Sequence, residues 1–317
     1  MDMNADMPLI ETTEQSVGLA FAQEAVLGEG LQWHAASQRW WWTDIESASL
    51  HAWAPGSDTA LSCRLPERLG CFAHTRSGRL LLGLAKRLCI GILANHNASG
   101  VVSMGLQQAS VVDAMEPRTR INDGRTDRRG YFVFGTINEA PERQPIGSFY
   151  QFSMPHGLRR LALPAVAIAN SICFSLDGRT MYFCDSLQQS IMQCDYDAET
   201  AKLANLRLFV HVDDKAAWPD GSVIDAEGCL WNAQWGAARV VRYAPDGRVL
   251  ARLTVPVQNP SCPALGGADS NVLMVTTARQ GLSRKQLNMM PLSGSLFGTQ
   301  LPERLAVLDE LFDDETA

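Results

Sequence analysis

Residues 27–45 run LGEGLQWHAASQRWWWTDI: a short strand, a tight polar turn, then a strongly apolar strand. Five later stretches repeat that plan: 69–85 (LGCFAHTRSGRLLLGLA), 121–137 (INDGRTDRRGYFVFGTI), 169–186 (ANSICFSLDGRTMYFCDS), 219–235 (PDGSVIDAEGCLWNAQW) and 260–278 (PSCPALGGADSNVLMVTTA). Self-similarity at about forty to fifty residues in strand–turn–strand units predicts an all-β fold, a six-bladed β-propeller with a central channel. Aligning the stretches on their turns brings Glu29, Gly70, Asn122, Asn170, Asp220 and Ser261 to one equivalent position. Units arranged about an axis place equivalent positions in a ring. Glu29, Asn122, Asn170 and Asp220 are therefore expected to converge at one mouth of the channel.

Each unit continues into further strands. A third strand is read in ASLHAW, KRLCIGIL, GSFYQFS, SIMQCDYD, ARVVRYAPDG and SGSLFGTQ, and an outer strand in TALSCRLP, VVSMGL, GLRRLAL, ANLRLFVHV and RVLARLTVP. Charged and apolar residues alternate in RVVRY and RVLARLTV, as on a strand with one wet face. The sixth unit has no outer strand in sequence order, so the run Val17 to Gln23 is expected to pair there and close the ring. The propeller domain is thus placed at residues 16–301. Residues 1–15 are expected to be a disordered extension. Residues 302–317 form a C-terminal tail in which Arg304 to Phe312 has helix-like spacing and the acidic end is disordered.

Composition narrows the function. A chain of 317 residues that is 46% hydrophobic can bury a sizeable core in one domain. A net charge of −7 argues against nucleic acid, which needs a basic surface. No apolar run reaches membrane-spanning length, and the acidic N-terminus lacks the plan of a signal peptide. Eight cysteines without a CxxC pair read as buried, reduced thiols, which fits a cytoplasmic protein. The six histidines show no HxH, HExxH or close pairing, which disfavours a histidine-rich zinc site. No GxSxG motif, phosphate loop or dinucleotide fingerprint is present.

The ring itself suggests chemistry. Glu29 and Asp220 bring two carboxylates, and Asn170 brings an amide oxygen. Three oxygen donors around a polar mouth suit a divalent cation completed by water or substrate. Asp and Asn before Gly are also common turn formers, and that plainer reading covers Asn122 and Asp220 singly. It covers neither their common phase nor Glu29, since Glu is a poor turn residue. Arg120 lies two residues before Asn122, so on an extended chain both side chains point the same way. A guanidinium beside amide and carboxylate oxygens suits a polyhydroxylated or carbonyl-bearing ligand. Trp218 has the same relation to Asp220; it floors a sugar-sized pocket or, more simply, packs in the core. The triplet Trp40–Trp42 reads as a core strand with alternate rings on opposite faces.

LGEGLQW…RWWWTDI, RINDGRTDRRGYFVFGT, IANSICFSLDGRTMYFCDS and WPDGSVIDAEGCLWNAQWGAARVVRYAPDG together resemble, in order from about Leu27 to Arg279, the gluconolactonase–regucalcin (senescence marker protein) family. The resemblance implies a six-bladed propeller with one divalent metal, ligated by Glu29, Asn170 and Asp220. It also implies substrate contacts from Arg120 and Asn122, with Glu139 a further candidate. Members hydrolyse sugar lactones, and the SxPAxGG…LMVTTAR end resembles the sugar-catabolic ones. The expected activity is therefore metal-dependent hydrolysis of an aldonolactone, with Asp220 as the base. The cation, one of Ca, Zn, Mn, Mg or Fe(II), would polarise the carbonyl. Two rivals stand beside it: a non-catalytic calcium-binding propeller, and a hydrolase of another ester or an organophosphate. The expected partner is a small sugar lactone. The oligomeric state is not legible.

Overall fold

Each repeat folds into one antiparallel sheet, and its first strand is the innermost. In the computed structural model, which describes residues 15–94 and 101–315, the six inner strands are Gly28–His34, Leu69–His74, Thr119–Thr126, Ala169–Phe174, Trp218–Ile224 and Pro260–Gly266. Each touches the next in order, and the sixth touches the first, so the blades close into a ring around a channel. The expected closure is present. Strand Gly18–Phe21 pairs antiparallel with Leu296–Gln300 as the outermost strand of the sixth blade. Just before it, Gln15 and Ser16 pair in parallel with Leu253 and Thr254 of the fifth blade, so the N-terminal run joins two blades. Of the extension expected to be disordered, residues 1–14 lie outside the described residues, while Gln15 is already a strand residue paired with Leu253.

The core lies between blades rather than within one. Trp40 and Trp42 pack with Leu31 of their own blade and with Cys262 and Met274 of the sixth, while Trp41 packs with Leu69 and Phe72 of the second. Side chains alternate across a strand, so one run of three indoles serves two inter-blade interfaces. All eight cysteines are free and buried in these layers. Among the described residues no helix is long and apolar enough to cross a membrane. One short helix, Arg284–Met289, interrupts the sixth blade; Ser283 caps it reciprocally with Gln286. The sequence reading passed over this Ser-x-x-Gln signal.

All six inner strands carry a register shift at the aligned position, between Glu29 and Gln32, Leu69 and Cys71, Ile121 and Gly124, Asn170 and Cys173, Pro219 and Ser222, and Pro260 and Pro263. A bulge leaves its extra residue outside the ladder and turns side chains away from the regular alternation. That is how a buried strand can aim a polar side chain into the channel. The second blade contributes none, because a Cβ on Gly70 would stand 2.4 Å from the Ile121 carbonyl oxygen.

The C-terminal expectation fails. Residues 304–312 form no helix but an extended strap across the end of the channel far from the bulges. The Ala226 amide donates to Leu305, the Ala306 amide to Ser270, and the Phe312 amide to His74. Phe312 and Leu305 are buried. Nor is the acidic end loose through residue 315: Arg76 pairs with Asp313, and Arg79 with Asp314, which also accepts from Ser77. Helical spacing of apolar residues did not decide this segment, because blade edges offered unpaired backbone groups and cationic partners.

Candidate active site

At the bulged end the channel opens into a cavity of about 330 Å³ whose walls include Glu29, Arg120, Asn122, Glu139, Asn170 and Asp220. Every residue proposed from the sequence as a metal, substrate or catalytic group therefore borders one space. Their bonds orient them. Asn170 donates through Nδ2 to Ser186 Oγ at 2.9 Å, and Ser186 Oγ donates to the Pro219 carbonyl at 2.8 Å. The Asn170 Oδ1 end is thereby fixed opposite, where it accepts from Asn122 Nδ2 at 3.0 Å and keeps a second lone pair. Ser171 holds a left-handed φ of 59° in this bulge. Its hydroxyl donates to the Asp220 carbonyl at 2.5 Å, locking the fourth blade to the fifth. Asn232 Nδ2 lies within 3.1–3.2 Å of the Asp220 and Gly221 carbonyls and bolsters the same bulge.

The wall beside this cup is a chain of charge-assisted bonds. Arg120 Nη1 donates to Asn122 Oδ1 at 2.7 Å and to the Ile121 carbonyl at 2.9 Å, while Nε donates to Glu139 Oε1 at 3.2 Å. Glu139 is gripped from the other side by Arg68, whose Nη1 and Nη2 reach its two oxygens at 2.6 and 2.7 Å. This bidentate fork holds the Glu139 carboxyl below its ordinary pKa despite partial burial. Burial lowers the pKa of Arg120.

Glu29 and Asp220 have no guanidinium fork of this kind. Burial, and after it the charge of Asp123, raises the Glu29 pKa to about 8. Burial, then Glu29, then Asp123, raise Asp220 well above the carboxylate range. Neither forms an ion pair among the described residues. Like charges packed in a desolvated cup are what a divalent cation offsets. Among the described residues no group of three or more His, Cys, Asp and Glu side chains is arranged to hold a metal. Any third protein donor would have to be an amide, and the Asn170 Oδ1 is oriented toward this space. The donor set fits a hard divalent cation.

The sixth aligned position, Ser261, is tied off: its hydroxyl bonds to the Gly28 carbonyl and to Thr276 Oγ1 at 2.9 Å. Other cavity residues were not anticipated, among them Glu46, Ser186, Trp235 and Gln280. A usable signal did exist. Leu27, Arg120, Ile168 and Trp218 each stand two residues before an aligned position, and all four line the cavity. The same offset from Gly70 gives Arg68, the partner of Glu139. Trp218 is not the packing residue that simplicity favoured: it is 38% exposed.

The fold and site together define a six-bladed propeller with a cup of oxygen-bearing side chains at one channel mouth and a guanidinium–amide wall beside it. Residues 27–279 match the SMP-30/Gluconolactonase/LRE-like region, and the chain belongs to this family. It is 45% identical over 279 residues to the L-arabinolactonase of Azospirillum brasilense, covering 86% of this chain and 88% of that one. It is 32% identical to the 6-deoxy-6-sulfogluconolactonase of Pseudomonas putida, covering 88% and 92%. Among solved structures it superimposes on a calcium-binding regucalcin of Agrobacterium tumefaciens with a TM-score of 0.83 at 30% identity, covering 94% and 97%.

Proposed function

We propose that this protein hydrolyses a sugar aldonolactone to the aldonic acid, with a divalent cation held by Glu29, Asn170 and Asp220. The observation that carries the reading is the joining, in one cavity, of two buried carboxylates that form no ion pair among the described residues to a wall built around Arg120 and Asn122. The relatives named for L-arabinolactone and 6-deoxy-6-sulfogluconolactone support the substrate class. The oxygen-only donors and the calcium-binding regucalcin support calcium, while magnesium, manganese, zinc or iron(II) would meet the same ligands.

A cation held by Glu29, Asn170 and Asp220 would supply Lewis-acid polarisation of the lactone carbonyl. Asp220 takes a proton from the attacking water as the new C–O bond forms. When the acyl–oxygen bond of the ring breaks, the same proton passes to the departing alkoxide, which leaves as a hydroxyl. Arg120 and Asn122 hold ring hydroxyls and so present one face of the carbonyl to the water. Glu139, spanned by two guanidinium groups, fixes Arg120 and keeps lone pairs for a sugar hydroxyl.

The test is a panel of aldonolactones assayed after metal removal and add-back, with spontaneous hydrolysis subtracted. Hydrolysis should vanish with chelation and return with one of the five metals. No rate above background with any metal would leave a cation-binding propeller in its place. Within the same assay, Arg120→Ala should keep the metal and lose roughly thirty- to a thousandfold in kcat/KM, the value of a charge-assisted contact of about 2–4 kcal/mol. Arg120→Lys should recover only part, because a point charge lacks the planar fork.

A further inference from the structure

The two sides of the cavity differ in kind. In a ring of six, the fifth blade lies across the channel from the second. On the second-blade side stand Arg68 and the carboxylates it bridges, Glu139 and Glu46. On the fifth-blade side the wall is Trp218, Trp235 and Pro219, continued by Leu187 of the fourth blade. Leu187 is 42% exposed and Trp218 38%, so this apolar surface faces the cavity instead of the core.

Trp218 is also held in place. Its strand position pairs with Trp235, and it precedes Asp220 by two residues, with both side chains lining the cavity. Gly236 lets the indole sit close: a Cβ there would meet Trp218 Cζ3 at 3.3 Å and the Ala216 carbonyl oxygen at 2.4 Å. With a φ of +85°, the position also favours glycine on backbone grounds. An exposed aromatic that the backbone is shaped to support, beside the candidate base, is a preformed platform.

We propose that Trp218 is a specificity-determining residue, whose indole stacks on the C–H face of the lactone ring while the ring hydroxyls turn toward Arg120, Asn122 and Glu139. This rests on the lactonase reading above. The aromatic face carries negative quadrupole density and the C–H bonds of a sugar face carry the complementary sign. An epimer that turned a hydroxyl onto the indole would bury that hydroxyl without a partner, a penalty that discriminates more strongly than lost apolar area. The platform therefore selects the configuration of the sugar, and Asp220 acts on whatever it admits.

The experiment compares Trp218→Ala, Trp218→Phe and Trp218→Leu with wild type. It measures KM and kcat on L-arabinonolactone and its epimers, and calorimetric Kd for the corresponding aldonates. The alanine variant should raise KM and Kd about tenfold or more with kcat changed less than threefold, and should narrow the spread of kcat/KM among epimers. Phenylalanine should restore most of the loss and leucine little of it. Equal rescue by leucine, or unchanged KM and Kd in the alanine variant, would overturn the stacking role. Wild-type aldonate binding that depends on Trp218 without any hydrolysis would sink the lactonase reading and leave the platform standing. Wild-type protein that neither binds nor hydrolyses these sugars would end both.

Discussion

The two ends of the channel are built from the two ends of the same six strands, yet they treat charge in opposite ways. At the bulged mouth Glu29, Asp123 and Asp220 crowd together, burial raises the pKa of all three, and none forms an ion pair among the described residues. At the other end Arg125 reaches Asp309 of the strap at 2.5 Å and the Ser222 carbonyl at 3.4 Å. The strap then finishes in the pairs of Asp313 and Asp314 with Arg76 and Arg79. At the strapped end acidic side chains of the strap meet guanidinium partners, whereas at the mouth Glu29 and Asp220 form no ion pair among the described residues. Such a departure from internal consistency marks the end where a ligand completes the structure.

Neutralising a carboxylate should therefore have opposite consequences at the two ends. Asp220→Asn at the mouth removes the candidate base and a candidate anionic metal ligand, and lactone hydrolysis should fall to background. In chelator at pH 7, however, its melting temperature should rise by a few degrees. Because the folded-state pKa lies above the unfolded one, the ionised carboxylate costs stability at neutral pH, and that cost disappears with the charge. Calorimetry with and without metal checks both halves. An active Asp220→Asn enzyme, or one that melts lower than wild type without metal, would erase the contrast.

At the strapped end, Asp309→Ala should lose stability, because it leaves the Arg125 guanidinium buried without its anion. Breaking such a pair costs about 3 kcal/mol, with Asp309 only partly exposed at 24% of its side chain. The urea midpoint should fall accordingly while kcat/KM of the folded enzyme stays within about threefold. A lost activity at unchanged stability would mean that the strap serves the mouth directly.

The mouth was the legible end. Glu29, Asn122, Asn170 and Asp220 share a phase because the blades repeat, and a repeat in sequence becomes a ring in space. The bulges that aim them were not visible, since a bulge is a property of two paired strands. Nor was the grip of Arg68 on Glu139, although the offset rule that exposed Arg120 points to Arg68 as well. The strap was misread because Leu305 and Phe312 have helical spacing. What they bury against comes from blades far away in sequence, and that packing overrides a local periodicity. His74 paired with His34 was equally hidden: the two residues are forty positions apart, and the second strand brings one ring onto the other at 3.9 Å.

The smallest expected effect lies under the strap, at that pair. His74 gives its carbonyl to the Phe312 amide at 2.8 Å, and its ring stacks on His34 with Trp41 and Phe72 edge-on. Its Nε2 is buried without a partner. Asp309 and Glu310 of the strap line the crevice beside it. Burial, and then the neighbouring His34, lower the His74 pKa to about 3. A folded-state value below the unfolded one means that the neutral ring is preferred in the fold. Its contribution is complete above pH 6.5 and is lost as the pH falls from there toward 3. By pH 5.5 the loss should be about 1 kcal/mol. His74→Phe keeps an aromatic ring against His34 and removes the proton-binding difference, so its stability should fall less between pH 7 and pH 5.5. His51, whose pKa burial lowers to about 4, would leave some acid dependence in the variant. Urea midpoints of the two proteins at both pH values check this; parallel curves would show that the end closed by the strap carries no titrating weakness.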